Sequence, residues 1–377
     1  MENFGKVLLF DLIRKKKIDK KNRTFSFQLK QNKKNSLIYQ NISKNLKNFL
    51  TNRYKFSNIN NSQMNTSNHR KKHGDRFLKF LKKNFKKSFF NKEVLEIGCG
   101  SGYILEILKK RGARVSGVEP GMKYKNQRLN IRNDFFLNIK YEKKFDVAIN
   151  NAVLEHQFNL EVFLKKIYDI LKHNGMCFLC VPNYEVLLTV GDPTLINHEH
   201  VSYFTKHSLK NVFQKIGFNN TKTFSDNYGN LYGLGYKGKK NKKFNKNILS
   251  FKKYDLKNYK IKFGKCIQNI EKWTQSQKRE NDKLGLYGAT SAISTIFSKV
   301  KFTKKNLYIF DNDNDKQNKY LYSFPNIIMS PKKITKMNIK KILILPIFYE
   351  KEIKNYLVKS INFKKKDIFR LSQFFPK

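Results

Sequence analysis

The pattern of apolar and polar positions is clearest between residues 68 and 119. Phe77, Phe80, Leu81 and Phe85 recur at helical spacing, which predicts a helix over residues 68–86. A run of apolar residues then predicts a strand at 94–97, a helix follows at 103–111, and a second short strand is predicted at 114–118. Three glycines lie between the first strand and its helix. This order predicts a βαβ unit.

The glycines of this unit indicate a bound ligand. Gly98, Gly100 and Gly102 occupy alternate positions, and a glycine lets the backbone approach a ligand that a side chain would block. Glu119 ends the second strand, where an acid can accept hydrogen bonds from both ribose hydroxyls. Dinucleotide sites favour Gly-x-Gly-x-x-Gly, whereas this chain has Gly-x-Gly-x-Gly preceded by Glu96.

The pattern continues as an alternation of strands and helices. Strands are predicted at 145–149 and 176–181, with a helix at 160–171 that Lys172 to Gly175 would end. Asn150 and Asn151 follow the first of these strands, at the sheet edge where open α/β folds place ligands. Asn151 is therefore a candidate cofactor-binding residue.

A second βαβ signal lies near the carboxyl end. Its strands are predicted at 284–287, 307–310 and 341–346, and its helices at 291–300 and 351–359. The predicted fold is α/β, a Rossmann-like domain followed by a second, smaller Rossmann-like domain. The predicted domains are a Lys- and Asn-rich basic segment at 1–68, the first α/β domain at 69–235, a basic linker and helix at 236–282, and the second at 283–377.

The chain is strongly basic. Its 78 Lys and Arg residues against 28 Asp and Glu residues give a formal net charge of +50, which raises the possibility of a nucleic acid or anionic membrane partner. The lysines are spread over the whole chain among many Asn, Ile and Phe residues, so we favour the codon bias of an AT-rich genome. In either case the positive field favours an anionic substrate.

Neither a membrane span nor a secretory signal is predicted. The apolar runs fall short of the ~18–20 residues that a spanning helix needs. Residues 7–13 are apolar but have charges on both sides and lack a small-residue cleavage site, so we interpret them as a helix or strand. The predicted location is cytoplasmic.

The four cysteines are predicted to be buried thiols. Cys177 and Cys180 are three residues apart in a predicted strand, so their side chains should point to opposite faces. The sequence offers no second pair that would complete a zinc site with them. Cys99 and Cys266 complete the set.

Residues 197–204, Asn-His-Glu-His-Val-Ser-Tyr-Phe, concentrate acid–base groups after the last predicted parallel strand. His198 and His200 can take a proton near neutral pH, Glu199 can orient an imidazole, and Tyr203 can donate to a developing oxyanion. A zinc site would need further ligands that the local sequence does not show. A structural role in a loop stays open, but a general-base cluster is the interpretation we favour.

Several of these motifs together resemble a known family. The loop Glu96 to Gly102 resembles motif I of the class I S-adenosylmethionine (SAM) methyltransferases. The full set resembles the SAM-dependent sugar C-methyltransferases over roughly residues 70–365: Glu96–Gly102, Val153–His156, Val181–Asn183, His198–Phe204, Tyr287–Ala289, Phe310–Asp313 and Lys316–Gln317.

The resemblance implies both a cofactor and a reaction. SAM would be bound by Glu96, Gly98, Gly100, Gly102, Glu119 and Asn151. The substrate would be a nucleotide-linked keto-deoxysugar, which is deprotonated next to its keto group to an enolate and then methylated on carbon. His200 would be the base, Glu199 would assist it, and His198 and Tyr203 would support the pocket. The reaction would need no metal.

The chain departs from the family pattern in two places. Family members usually carry an N-terminal zinc module with paired cysteines, but residues 1–68 contain no cysteine. Many also have a tyrosine directly before His-Glu-His, where this chain has Asn197. Both departures concern the region that would shape the sugar pocket.

Other functions are weighed against this one. An O- or N-methyltransferase acting on another small molecule would use the same residues. A nucleic acid amino-methyltransferase tends to have Asn/Asp-Pro-Pro-aromatic where this chain has Asn150 to Val153, and cytosine C-methylation needs a cysteine where Asn183 follows Pro182. A non-catalytic binding protein would show a broken SAM loop, and this loop is intact.

Overall fold

The structure is a computed structural model that describes the chain except for residues 11, 14–23, 56–66, 86, 122–126, 239–249, 277–282, 301–305, 322, 323, 325, 326 and 377. Contacts divide the described chain into two compact units. The first consists of residues 1–29, 185–198 and 255–377, and the second of 30–184 and 199–254. The domain boundaries drawn from the sequence stay predictions.

Strands and helices alternate along most of the described chain. The strands are β1 Glu2–Leu8, β2 Leu12–Ile13, β3 Thr24–Gln31, β4 Ile38–Gln40, β5 Glu93–Ile97, β6 Arg114–Val118, β7 Ile131–Arg132, β8 Phe145–Asn151, β9 Leu171–Pro182, β10 Ser202–Tyr203, β11 Asn219–Ser225, β12 Asn230–Tyr236, β13 Leu284–Tyr287, β14 Leu307–Phe310, β15 Tyr320–Leu321, β16 Ile328–Met329, β17 Lys341–Ile344 and β18 Ile368–Arg370. The helices are α1 Lys44–Lys55, α2 Asn68–Asn84, α3 Tyr103–Lys110, α4 Leu160–Ile170, α5 Glu185–Val190, α6 Lys206–Ile216, α7 Leu256–Ser276, α8 Ser291–Lys299 and α9 Glu350–Lys359.

The second unit is built on a seven-stranded sheet. Its strand order is β11-β12-β9-β8-β5-β6-β7. The five strands β9, β8, β5, β6 and β7 are parallel to one another. Strand β12 pairs antiparallel with β9, and β11 pairs antiparallel with β12. The βαβ unit β5-α3-β6 lies near the middle of the parallel part, so the loop after β5 opens at the carboxyl edge of the sheet. This architecture confirms the predicted Rossmann-like domain.

Side chains of β9 alternate between two apolar cores, one on each face of the sheet. Cys177 packs in the core with α4 and α6, while Cys180 packs in the core with α2 and α3. Strand geometry turns successive side chains to opposite faces, so residues three apart separate as predicted. All four cysteines are buried and unbridged, which confirms the prediction of buried thiols.

The start of β9 differs from the prediction. Helix α4 ends at Ile170, and β9 begins at the next residue, where the sequence predicts a helix stop over residues 172–175. The pairing of β8 with β9 shifts there, from Phe145 opposite Leu171 to Val147 opposite Met176. Asn174 adopts a φ of +58°. The predicted stop is therefore an irregularity within the strand.

The first unit contains a smaller sheet, with five parallel strands in the order β16-β14-β13-β17-β18. Helix α8 follows β13 after a turn at Gly288, as the second βαβ signal predicts. The second, smaller Rossmann-like domain is thereby confirmed. The predicted helix before it is α7, and the last part of that prediction, residues 277–282, lies outside the described residues.

The N-terminal residues form strands and a helix. Strand β1 pairs antiparallel with β3, and in the other unit β4 pairs antiparallel with β10. The apolar stretch at 7–13 is strand wherever it has regular structure in the described residues. Helix α1 lies between residues 44 and 55. Among the residues the model describes, no helix is both long and apolar enough to cross a membrane.

Candidate active site

The loop after β5 has the backbone that its glycines allow. Gly98, Gly100 and Gly102 have φ values of +73°, +53° and +86°, in the region that favours glycine. A Cβ on Gly98 would lie 2.3 Å from Cγ2 of Val153, so packing also requires glycine there. A Cβ on Gly100 would meet no atom of the described chain within 4 Å. Gly100 therefore borders open space that a ligand can enter.

Glu119 is tied to this loop. Its Oε2 accepts the backbone N–H of Gly100 at 3.0 Å, and its Oε1 accepts that of Gly121 at 3.0 Å. A carboxylate has about four acceptor sites, so these bonds orient the group without exhausting it. The arrangement fits an acid that accepts hydrogen bonds from ribose hydroxyls.

Buried polar atoms surround the same loop. Oε2 of Glu96, both amide atoms of Asn150 and Nδ2 of Asn151 are buried and have no hydrogen-bond partner among the described residues. Asn150 pairs with Ile97 in the sheet, so it lies beside the start of the glycine loop. Burial, and secondarily the charge of Glu119, raises the pKa of Glu96. Polar atoms left in this state indicate the place of a polar ligand.

Helix α2 contributes a residue that sequence reasoning missed. Nε2 of His73 lies 2.9 Å from Oδ1 of Asn151 and donates to it. Burial lowers the pKa of His73, so its imidazole is neutral at pH 7. His73 thereby fixes the orientation of the Asn151 amide. A lone histidine on an amphipathic helix carries no signal of such a role.

A second cluster joins two distant segments. The 3-10 turn Leu154–His156 follows β8, and the segment around Glu199 and His200 precedes β10. The Val201 N–H donates to the Glu155 carbonyl at 2.7 Å, and Nδ1 of His156 donates to the Glu199 carbonyl at 2.8 Å. The rings of His156 and His200 lie 4.9 Å apart between centroids. Glu155 and His156 thus line the surroundings of His200.

Burial sets the charge of this cluster. It lowers the pKa of His156 to about 4 and that of His200 well below its ordinary value, which nearby His156 lowers further. Burial also raises the pKa of Glu155 to about 8. Both imidazoles are therefore neutral at pH 7, and Nδ1 of His200 is hydrogen-bonded to the hydroxyl of Tyr184.

Aromatic residues close around these histidines. Tyr203 is fully buried with its ring 4.7 Å from that of Tyr184. Tyr54, from α1, has its ring 5.7 Å from that of His156. The hydroxyl of Tyr54 is buried and lacks a hydrogen-bond partner within the described ranges. Helix α1 therefore supplies a hydroxyl to the cluster from the predicted basic N-terminal segment.

His198 belongs to the other unit. Its Nε2 donates to the Val7 carbonyl at 3.1 Å, and its ring packs against Phe25 and Phe27. Burial lowers its pKa to about 4. These are the contacts of a packed structural histidine, and the pocket-supporting role implied by the resemblance stays a prediction. The roles of Glu199, His200 and Tyr203 also stay predictions.

The fold and the loop together define a class of protein. A parallel sheet with a glycine-rich loop and an acid after the next strand is that of a class I SAM-dependent methyltransferase. The residues present fit the cofactor, because Gly100 leaves room, Glu119 is oriented, and unpartnered buried polar atoms surround the loop.

Family comparison agrees with the fold. A methyltransferase domain model matches residues 68–223, and a C-methyltransferase C-terminal domain model matches residues 245–370. The two matches together cover most of the chain and support a class I SAM-dependent methyltransferase of the C-methyltransferase type, with SAM as the cofactor.

Curated relatives match only part of the chain. The ubiquinone biosynthesis O-methyltransferase of Pelagibacter ubique is 28% identical over 125 residues, covering 28% of this chain and 52% of that protein. The enzyme of the same name from Bradyrhizobium diazoefficiens is 32% identical over 100 residues, covering 24% and 40%. The chain thus spans about half the length of the curated relatives it matches, or less.

Two solved methyltransferase structures each align with about half of this chain. The 1,6-didemethyltoxoflavin-N1-methyltransferase of Burkholderia thailandensis is 16% identical, covers 54% of this chain and 96% of its own, and has a TM-score of 0.40. The magnesium protoporphyrin IX methyltransferase of Synechocystis with bound SAM is 13% identical, covers 52% and 100%, and has a TM-score of 0.39.

Proposed function

We propose that this enzyme methylates a carbon atom of a nucleotide-linked keto-deoxysugar, with His200 as the base that generates the enolate. One observation carries the proposal: a half-buried, neutral imidazole whose Nδ1 is hydrogen-bonded to the Tyr184 hydroxyl. Contacts link it to the SAM loop, because Val153 packs against Gly98 and the next turn carries His156, whose ring faces His200. The C-methyltransferase type of the C-terminal domain is in keeping with this chemistry.

The roles of the residues follow from their contacts. SAM, when bound, supplies a methyl group on a positively charged sulfur. In the tautomer whose Nδ1–H donates to the Tyr184 hydroxyl, His200 carries a lone pair on Nε2, and this lone pair removes the proton next to the keto group of the substrate. The hydroxyls of Tyr54 and Tyr203 are candidates to donate to the enolate oxygen. Glu199 orients His156 through its carbonyl group and is the proposed assistant of the base.

The smaller α/β domain, taken by itself, carries features that suit a phosphate group. Oγ1 of Thr290 and Oγ of Ser294 are buried at the start of α8 and have no hydrogen-bond partner in the described part of the chain. A helix N-terminus attracts phosphate groups. Lys316 adds a positive charge beside the same turn, where its Nζ donates to the Ala289 carbonyl at 2.9 Å.

A second candidate is methyl transfer to oxygen on another small molecule. It is favoured by the names of the two curated relatives reported above, both of which are ubiquinone biosynthesis O-methyltransferases. Transfer to nitrogen would use the same base, and an RNA substrate is the least favoured alternative despite the net charge of +50. A cytoplasmic location stays a prediction.

The deciding experiment is solvent-deuterium exchange. The enzyme is incubated in D2O with dTDP- and UDP-linked keto-deoxysugars and SAM, and the sugars are analysed by mass spectrometry and NMR. We expect deuterium next to the keto group and a carbon-bound methyl in the product, both lost in His200→Ala. His173→Ala, at an exposed position, is the control. Methylation without exchange would instead favour transfer to oxygen or nitrogen.

The pH profile gives a second check on the base. Because burial holds the pKa of His200 well below its ordinary value, the base is already unprotonated at neutral pH. We expect kcat/KM to stay level between pH 7 and pH 5.5, where an ordinary histidine takes up its proton but Glu155, with a pKa of about 8, already holds one. A steep fall over this interval would contradict the proposed state of His200.

A further inference from the structure

Two hydrogen-bond acceptors face each other in the cluster around His200. Nδ1 of His156 must carry its proton, because it donates to the Glu199 carbonyl, which can only accept. Nε2 of the neutral ring therefore carries a lone pair. It lies 3.6 Å from Oε1 of Glu155. A carboxylate oxygen and an imidazole lone pair repel each other unless a proton or a cation lies between them; the raised pKa of Glu155, about 8, supplies a proton at pH 7, and a bound cation would take its place.

The rest of the cluster has the same character. The side chain of Glu155 is 1% exposed, and its Oε2 has no hydrogen-bond partner among the described residues. One ring nitrogen each of His156 and His200 and one carboxylate oxygen of Glu155 all lie within 4.8 Å of one another. Three electron-pair donors thus converge on one point in a largely buried setting.

We propose that Glu155, His156 and His200 bind a divalent transition-metal ion. Two imidazoles and one carboxylate are ligands that zinc and its neighbours accept, leaving a fourth position open. His156 is also held as metal ligands usually are, with Nε2 facing Glu155 and Nδ1 bonded to a backbone carbonyl.

The site needs a small contraction to bind the ion. At metal–ligand distances of about 2.1 Å, tetrahedral ligand atoms lie roughly 3.4 Å apart, whereas these lie up to 4.8 Å apart. Closure would bring the side chains of Glu155 and His156, both carried by the 3-10 turn Leu154–His156, closer to His200.

Metal binding has a consequence for catalysis, and this step rests on the proposed function. An ion on His200 would occupy the lone pair that removes the substrate proton. The cluster would then act as an inhibitory metal site whose occupancy a chelator reverses. Methyl transfer is expected to fall in proportion to occupancy by Zn²⁺.

The test measures metal binding without turnover. Untagged full-length protein is treated with EDTA, freed of the chelator, and titrated with Co²⁺ while its visible d–d bands are followed; Zn²⁺ binding is measured by calorimetry. We expect one ion per chain, with an affinity at least about tenfold weaker in Glu155→Gln and in His156→Gln. His173→Gln, at an exposed position, is the matched control and should bind as the wild type does.

Two results would overturn the site. One is a protein that shows neither Co²⁺ bands nor stoichiometric Zn²⁺ heat, in which case a proton on Glu155 relieves the repulsion. The other is unchanged affinity in both variants, once thermal melts and SAM binding show that they fold. The binding measurements involve no sugar substrate, so their failure is distinct from failure of the proposed reaction. Binding without inhibition would leave the site standing and contradict His200 as the base.

Discussion

The two βαβ units of this protein share one plan and differ in charge. In each, a strand leads into a glycine at positive φ, a helix follows, and the next strand is followed by an acid. The first has Glu119 at that position, with Glu96 buried nearby, and Glu119 raises the pKa of Glu96. The second has Asp311, whose Oδ2 lies 3.1 Å from Nζ of Lys316. The first turn is thus acidic, and the second combines an acid with a cation.

This difference matches the charge of two different ligands. SAM carries a positive sulfonium, which an acidic loop attracts, whereas phosphate groups of a nucleotide would be attracted by Lys316 and the start of α8. The two βαβ units also differ in the free space beside the glycines of their turns. A Cβ on Gly100 would meet nothing of the described chain within 4 Å, while one on Gly288 would lie 2.5 Å from Cγ of Pro346. Under the proposed function, one supersecondary pattern would therefore bind two kinds of ligand through its local charge and packing.

The largest expected effect comes from removing the first acid. Glu119→Ala loses the proposed ribose acceptor and also leaves the N–H groups of Gly100 and Gly121 without their carboxylate. Hydrogen bonds to charged groups contribute roughly 1.5–3 kcal/mol each, so we expect SAM affinity to fall about 100-fold or more. Calorimetric titration with SAM measures it.

Matched variants sharpen this result. Glu119→Gln keeps one acceptor oxygen and should lose less affinity than Glu119→Ala. Asp311→Ala removes the corresponding acid of the second βαβ unit and should leave SAM affinity unchanged. Equal loss in the Glu119 and Asp311 variants would show that the two units do not divide the ligands as proposed.

The second prediction concerns the filled turn. Gly288 has a φ of +99°, and a side chain there would collide with Pro346. We expect Gly288→Ala to lower the free energy of unfolding by about 2–3 kcal/mol, because it combines backbone strain with a clash. Chemical denaturation measures the loss, and SAM affinity in the folded protein should not change. Wild-type stability in this variant would contradict the close packing of the turn.

The third prediction concerns the open turn. Gly100→Ala places a methyl group at a φ of +53° without a clash, so the strain is about 1–2 kcal/mol. The methyl group would enter the space left for the ligand, and we expect SAM affinity to fall about tenfold with little change in melting temperature. A variant that melts much lower but binds SAM normally would mean that this space has no role in binding.

Much of this comparison could be predicted from sequence, because each βαβ unit is contiguous. The bounds predicted for the strands at Arg114–Val118 and Leu307–Phe310 are those of the structure, and α2 and α3 end within two residues of prediction. Apolar periodicity and glycine spacing are local signals, and local packing preserves them. The local signal at residues 172–175 located the end of α4 to within one residue, but it did not show that β9 begins at Leu171, because that start depends on pairing with β8.

The surroundings of His200 could be predicted only in part. The motif Val153–His156 is part of the family resemblance. Its hydrogen bonds to residues 199–201 are tertiary contacts across more than forty residues, which local sequence does not show. Tyr54 and His73 lie on helices whose apolar spacing gives no hint of a polar role. The sequence shows which chemical groups are available, whereas the fold decides which of them meet.

The smallest effect is expected at Lys316, the cation of the second βαβ unit. Lys316 is partly exposed, and its bond to Asp311 is of a kind that contributes about 1 kcal/mol or less, so Lys316→Met should change stability little. In this variant Asp311 still accepts hydrogen bonds from the N–H groups of Ala289 and Asp313, which hold its carboxylate in place.

If the turn at Gly288 binds phosphate, loss of the Lys316 charge should instead weaken dTDP or UDP binding by several-fold at low salt. The difference should be smaller at high salt, because salt screens the interaction. SAM affinity serves as the internal control. Unchanged nucleotide affinity at low salt would remove Lys316 from the phosphate site, and the charge difference between the two units would then lack the role proposed for it.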